Sequence, residues 1–393
     1  MSQRAVCLLL FSRIKVTSAC SPKSLLIKSH LIYYMKKKIP HIPSTASGPE
    51  CFLLTDSMKH YVRQNNCFDL LRYFFALLIV ASHFSVLVNS EYSERIAQTG
   101  PIRVKAFFII TGFLVTYSYL RNEHDLRKYF RKRFMRILPA YGVAVMLGFI
   151  VCMTLTSYSV IDFLSTVESW KYLGANLLML NWLQPSLPGV FEGCQMTAVN
   201  GSLWTMKFEV IFYLLLPLFI RGLRTSAGYY ILGALVIATF YIYPRAPLQL
   251  QYFYFFLSGV AILFSLDWLA HGHRFRNAFL LSVIVEMLLY IPDYDGVLYV
   301  YDTLRTLEII TFPLILIFVA YNLPIPKALS SLPNVTYGIY LYHFPVVQVI
   351  VQMGLFRGNV VLMFIATYVI TGIMATLSYL LIERRYMRRR VVK

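Results

Sequence analysis

The sequence predicts an all-α polytopic integral membrane protein of about ten transmembrane helices with both termini in the cytoplasm, and three observations predict it. Apolar residues make up 58% of the 393-residue chain and charged residues only 14%, where soluble domains run near a quarter charged. Those apolar residues fall in blocks of about fourteen to twenty-four with a mean hydropathy of +0.60 over the whole chain, most of them long enough to cross a hydrocarbon core about 30 Å thick. Lys and Arg gather in the short loops between the blocks and at the C-terminus. A soluble enzyme is excluded. The net charge of +19 belongs to no basic domain that could fill a groove, so no nucleic-acid partner is expected and the lipid bilayer is the partner instead.

Residues 1–57 read as a leader or an over-extended start without order of its own. The apolar run CLLLF is broken by Arg13 and Lys15, which no signal-peptide core tolerates. Met58 opens a polar, basic stretch leading into the first span, so 58–393 is taken as the membrane domain. Uninterrupted apolar runs then place spans at 68–88, 104–120, 138–156, 203–220, 228–243, 252–266, 278–291, 307–321, 335–353 and 359–382. The runs at 252–266 and 278–291 are among the shorter ones. The stretch 173–183, LGANLLMLNWL, has only eleven residues and two Asn; it is too short to cross and reads as re-entrant or lying in the outer interface. With the N-terminus inside, the cytoplasmic loops and tail after residue 120 carry 18 Lys and Arg and the outer loops carry 6. The positive-inside rule therefore sets the orientation, and the chain is read as a multi-pass protein of a cell membrane. The six cysteines form no CxxC pair and no Cys/His cluster at ligand spacing, so no metal is expected.

Ionisable groups at membrane depth cost roughly 3 kcal/mol or more and mark sites. The first span, FDLLRYFFALLIVASHFSVL, holds Asp69, Arg72 and His83. Arg72 and His83 are eleven residues apart, almost three whole turns, so they share one face about 16 Å apart along the axis. The bland alternatives are an ion pair of Arg72 with Asp69 at i, i+3 and an interhelical hydrogen bond for His83. Glu209, in the fourth span, lies at about the depth of His83, so a carboxylate–imidazole pair is expected if the two helices touch. Glu286, Glu308 and His343 read as packing and hydrogen-bonding groups. The segment 121–136, RNEHDLRKYFRKRFMR, reads as a loop that brings seven basic residues to the inner face. It is either a topology signal meeting anionic lipid or a dock for a polyanionic cytoplasmic ligand such as a nucleotide-tailed donor, since Arg offers a fork that matches phosphate oxygens.

Five segments in order carry a family resemblance: FDLLRYFFALLIVASH at 68–83, VKAFFIITGFLVT at 104–116, YFRKRFMRILPAY at 129–141, SLWTMKFEVIFYLLLPL at 202–218 and YGIYLYHFPV at 337–346. Together, over about 60–390, they resemble the acyltransferase-3 family of bacterial integral-membrane O-acyltransferases. The resemblance implies transfer of an acyl group, most often acetyl, from cytoplasmic acyl-CoA to a hydroxyl of an extracytoplasmic glycan or lipid-linked saccharide such as lipopolysaccharide. It implies His83 and Arg72 as the essential pair, with Arg131, Arg133 and Arg136 facing the CoA phosphates. Many relatives have Asp where Lys105 stands and Ser where Thr111 stands, so no role is carried over to those positions. No esterase-like domain follows the last span, so the acceptor is expected to be handled by the membrane domain.

The residues themselves suit that chemistry. A thioester is already activated, so the protein must supply a base for the hydroxyl, a home for the oxyanion and alignment of two substrates. His83 is the natural base, with Glu209 orienting it. No G-x-S-x-G motif supplies a nucleophile, which favours direct transfer. Acyl-CoA is a substrate, and no bound cofactor is expected. Trp170, Trp182 and Trp204 could stack on a sugar, although tryptophans are more often interface anchors. A transporter or flippase with a buried polar path is the rival class, and no inverted repeat supports it.

Overall fold

The computed structural model describes residues 54–63, 66–89, 100–122, 125–225, 242–289, 304–324 and 333–388, with scattered positions in 227–239. The chain divides into two units, Met1–Gly48 and Pro49–Lys393, and the described residues all belong to the second. Nearly all of the predicted leader and most of the predicted fifth span, 228–243, lie outside the described residues.

All regular structure among the described residues is helical. A short α1 (Asp56–Arg63) precedes α2 (Phe68–Val88), α3 (Gly100–Leu120) and the 30-residue α4 (Leu126–Leu155). Two short helices, α5 (Val160–Ser165) and α6 (Val167–Leu177), follow in the connection after α4. A 3₁₀ turn, Gly201–Thr205, then feeds α7 (Met206–Leu223). The remainder is α8 (Leu248–Leu269), α9 (Arg274–Leu289), α10 (Glu308–Asn322), α11 (Thr336–Gln352) and α12 (Val360–Ser378), with a π turn at Tyr379–Glu383 leading into α13 (Arg384–Arg388).

Seven described helices are long and apolar enough to cross a membrane: Phe68–Val88, Gly100–Leu120, Leu126–Leu155, Gly201–Leu223, Leu248–Leu269, Arg305–Asn322 and Val360–Tyr386. Two other predicted spans correspond to shorter helices, α9 with 16 residues and α11 with 17. At 1.5 Å per residue these reach only about 24–26 Å. The stretch 173–183 is no span: it leaves the end of α6 as a turn, and Leu178 and Trp182 stay exposed.

One predicted element is corrected. The basic stretch 121–136 is not a loop from end to end, because α4 begins at Leu126 and carries six of its seven basic residues on its first three turns. Asp125 caps that helix, its carboxylate accepting from the Lys128 N–H at 2.8 Å. Basic side chains thereby acquire a helical phase, and neighbours in sequence face different ways.

Helix α3 sits between α2, α7, α8 and α10, and α11 packs on α2, α4 and α12. The α3–α8 contact is backbone on backbone. A Cβ on Gly112 would lie 2.1 Å from the Phe256 carbonyl oxygen, and one on Gly259 would lie 2.2 Å from that of Ile109. Small residues permit such an approach where lipid gives no hydrophobic drive to association. Gly112→Leu should therefore destabilise the protein by at least the roughly 1–3 kcal/mol of an overpacked core. Gly142→Leu should not, since a Cβ there meets nothing within 4 Å. Thermal unfolding of both variants in detergent checks the contrast, and equal melting temperatures would contradict it.

Prolines inside α7 and α11 each free a carbonyl one turn back, and a neighbouring side chain takes it up. Pro217 frees the carbonyl of Tyr213, which accepts from the Tyr129 hydroxyl of α4 at 3.2 Å. Pro345 frees that of Leu341, which accepts from Asn200 Nδ2 at 2.8 Å. The connection between α4 and α7 is fastened to α11 as well. Gln348 Nε2 donates to the carbonyls of Met196 and Ala198, while the Gln352 side chain accepts from Phe191 N–H and donates to the Leu155 carbonyl.

Candidate active site

A cavity of about 220 Å³ opens between α2, α3, α4, α7 and α11. Its wall on α2 runs from Arg72 to Ile79, two turns or about 10 Å. The helices run alternately up and down, so Arg72, Arg133, Arg136 and Tyr213 lie toward one end. Ile79, Val104, Thr205 and Tyr340 lie toward the other.

The first end is strongly cationic. Three arginines line the cavity against a single carboxylate, Glu209. Arg72 also pairs with Asp69 at 3.0 Å, so the i, i+3 ion pair and the site coexist on one side chain. Asp69 in turn accepts from Asn334 Nδ2 at 2.8 Å, which ties the start of α2 to the segment before α11. Arg133 donates to the Ser118 hydroxyl at 2.9 Å and lies over the Tyr213 ring. A low-dielectric wall around an excess of positive charge focuses the field on an anion. Helical phase sorts the basic stretch: Arg133 and Arg136 face the cavity, whereas Arg131 is exposed on another face of α4 and does not line it.

His83 and Glu209 are not brought together. The Glu209 carboxylate accepts from the Tyr213 hydroxyl, one turn along α7, and faces the cavity. His83 meets His343 of α11 instead, with Nδ1 of the first 2.7 Å from Nε2 of the second. The two rings lie side by side and nearly coplanar, with centroids 5.0 Å apart and planes inclined at 19°, and the edge of Phe344 closes against His83. Gly201 makes room for Phe344, since a Cβ there would lie 2.7 Å from Cζ of that ring.

The imidazole pair sits just beyond the far end of the cavity. His83 is one turn past Ile79, and His343 is about one turn past Tyr340, both of which line the wall. Tyr340 is held by the turn before α7, its hydroxyl donating to the Ser202 carbonyl and meeting the Thr205 hydroxyl. His83 is half-buried, whereas His343 has no exposed surface. Sequence reasoning read His343 as a packing and hydrogen-bonding group, and it does form a hydrogen bond, to His83. The signal that it belongs with His83 was its cost, because an imidazole at membrane depth needs a partner.

Two other acidic side chains, Glu308 and Glu286, have partners of their own. Lys105 of α3 donates to both carboxylate oxygens of Glu308 at 2.7 Å, and Thr311 donates to Glu286 at 2.5 Å. Trp204 is packed between Phe208 and Tyr252, while Trp170 and Trp182 are exposed. Among the described residues, no three His, Cys, Asp or Glu side chains converge in a way that could hold a metal.

The family model described as an acyltransferase domain, Acyl_transf_3, matches residues 65–384. An O-acetyl transferase of Shigella phage Sf6 is 22% identical over 350 residues, 84% of this chain and 98% of that one. Nodulation protein 10 of Rhizobium leguminosarum bv. viciae is 26% identical over 362 residues, 85% of this chain and 96% of that one. O-acetyltransferase OatA of Staphylococcus aureus is 23% identical over 371 residues, 80% of this chain and 56% of that one. No solved structure matches. Because the model spans nearly all of the region that forms these helices, the chain belongs to the acyltransferase-3 family and is a multi-pass membrane acyltransferase.

Proposed function

We propose that this protein is an O-acetyltransferase that takes an acetyl group from cytoplasmic acetyl-CoA and places it on a hydroxyl of a glycan or lipid-linked saccharide across the membrane. The observation that carries the reading is the polarity of one cavity, with three arginines at one end and a half-buried imidazole one turn beyond the other. The charge count of 18 against 6 supports a reading in which the arginine end and both termini face the cytoplasm.

A cavity of about 220 Å³ is smaller than the ~300–1,000 Å³ of sites that enclose a drug-sized ligand. It suits the slender pantetheine arm and acetyl group, while the phosphates and nucleotide stay at the mouth. Arg133 and Arg136 take phosphate oxygens with forked, charge-assisted hydrogen bonds. Arg72 meets the arm further in. The thioester then reaches the level of His83, where the acceptor arrives from the opposite side. Nε2 of His83 takes the hydroxyl proton, the oxygen attacks the thioester carbonyl, and the C–S bond breaks as the carbonyl re-forms. The same imidazole returns the proton to the departing thiolate, leaving an ester and free CoA thiol. Glu209, hydrogen-bonded to Tyr213, balances part of the arginine charge rather than orienting the base.

Sealed membrane vesicles test the reaction and its direction together. Inside-out vesicles carrying the protein should consume acetyl-CoA added to the medium and acetylate a saccharide enclosed in the lumen. Right-side-out vesicles should do so only after permeabilisation. Equal consumption by both before permeabilisation would remove the orientation. No consumption by either, or by detergent-purified protein, would remove the donor.

A further inference from the structure

The hydrogen bonds of the two histidines form a chain that decides where each ring carries its proton. Nδ1 of His343 lies 3.0 Å from the carbonyl oxygen of Ile339, one turn back on α11. A carbonyl oxygen can only accept, so Nδ1 of His343 bears the hydrogen and Nε2 of the neutral ring bears a lone pair. That Nε2 is 2.7 Å from Nδ1 of His83. His83 must therefore donate from Nδ1, which leaves its own Nε2 bare.

We propose that His343 is a positioning residue that holds His83 in the Nδ1–H tautomer and so presents an unprotonated Nε2 to the acceptor hydroxyl. The inference rests on His83 being the base of the reaction proposed above. The burial of the two rings divides the roles: His343 has no exposed surface, while His83 is only half-buried. Their in-plane hydrogen bond and the edge of Phe344 fix the plane of the His83 ring. When Nε2 of His83 takes the hydroxyl proton, the resulting imidazolium still donates from Nδ1 to Nε2 of His343. That hydrogen bond is stronger to the charged ring than to the neutral one, which favours the protonated intermediate. No atom is gained or lost in the pair: the proton enters at Nε2 of His83 and leaves from it to the thiolate. The arrangement uses the physics of a carboxylate-oriented imidazole with a neutral acceptor, and in catalytic triads the wrong tautomer costs about 10⁴-fold in turnover.

Two measurements on the full-length protein in detergent test this. Nitrogen-15 resonances of the histidines in the resting protein, assigned by single replacements, should show His83 protonated at Nδ1 and bare at Nε2. A resting His83 protonated at Nε2 would overturn the proposal. In the assay, His343→Leu removes the acceptor with little loss of volume, and His343→Gln keeps one in its amide oxygen. The first should lower kcat at least about 10-fold with the KM for acetyl-CoA within twofold of the parent, and the second should recover most of the loss. Full turnover by His343→Leu, with His83→Ala inactive, would overturn the positioning role and leave the base in place. Full turnover by His83→Ala would instead remove the base itself. A fall in KM and kcat together with a lowered melting temperature, not relieved by His343→Gln, would mean that His343 is only packing and would likewise overturn the proposal.

Discussion

Replacing His83 with Ala should leave a folded, inserted protein whose acetyl transfer is reduced at least about 10²-fold, the size of a lost general base. The side chain is half-buried just beyond the end of the cavity, and its removal takes away the hydrogen bond to His343 and the contact with the edge of Phe344. Transfer is measured on detergent-purified protein, with thermal unfolding followed in parallel. Near-normal transfer would return His83 to an interhelical hydrogen bond and no more. Glu209→Gln should cost less, because Glu209 is bonded to Tyr213 and not to His83. The double variant separates the geometries: groups acting as one unit show strongly non-additive losses, whereas these two, which do not touch, should combine nearly multiplicatively.

The second large effect is on the donor. Arg133→Ala and Arg136→Ala should each raise the KM for acetyl-CoA roughly 10- to 100-fold, the equivalent of a charge-assisted contact of about 1.5–3 kcal/mol. Acceptor dependence should stay nearly unchanged. Arg131→Ala is the internal control: it removes the same charge from the same helix, but the side chain is exposed and does not line the cavity. Its effect should be under twofold at physiological salt, where exposed charges are screened. Equal effects at all three positions would mean that only the net charge of the inner surface counts.

The spans were legible because the cost of an unpaired peptide group in lipid forces long apolar helices. Their number was less so, because α9 and α11 are shorter than a full crossing. The first face of the site was legible too. Arg72 and His83 share one stripe of α2, as their spacing requires. Depth alone could not supply the partner of His83. Glu209 lies on a helix that also borders the cavity, but its rotation turns the carboxylate to Tyr213, while His343 arrives from a helix 260 residues away. The helical start of α4 carried a signal in Asp125, a good N-cap ahead of Leu126. The density of basic residues obscured it, and with it the phase that parts Arg131 from Arg133 and Arg136.

The histidine pair has a consequence for biogenesis. Its two members are separated by 260 residues, so at roughly 5–20 residues per second the ribosome takes about 13–50 s to deliver the second after the first. Throughout that interval α2 has an imidazole at membrane depth without its eventual partner. The nascent bundle must hold α2 loosely or shield it until α11 is inserted. Truncation before residue 343 therefore yields helices that reach the bilayer but never a completed site, and the last stages of translation become the step at which the enzyme switches on.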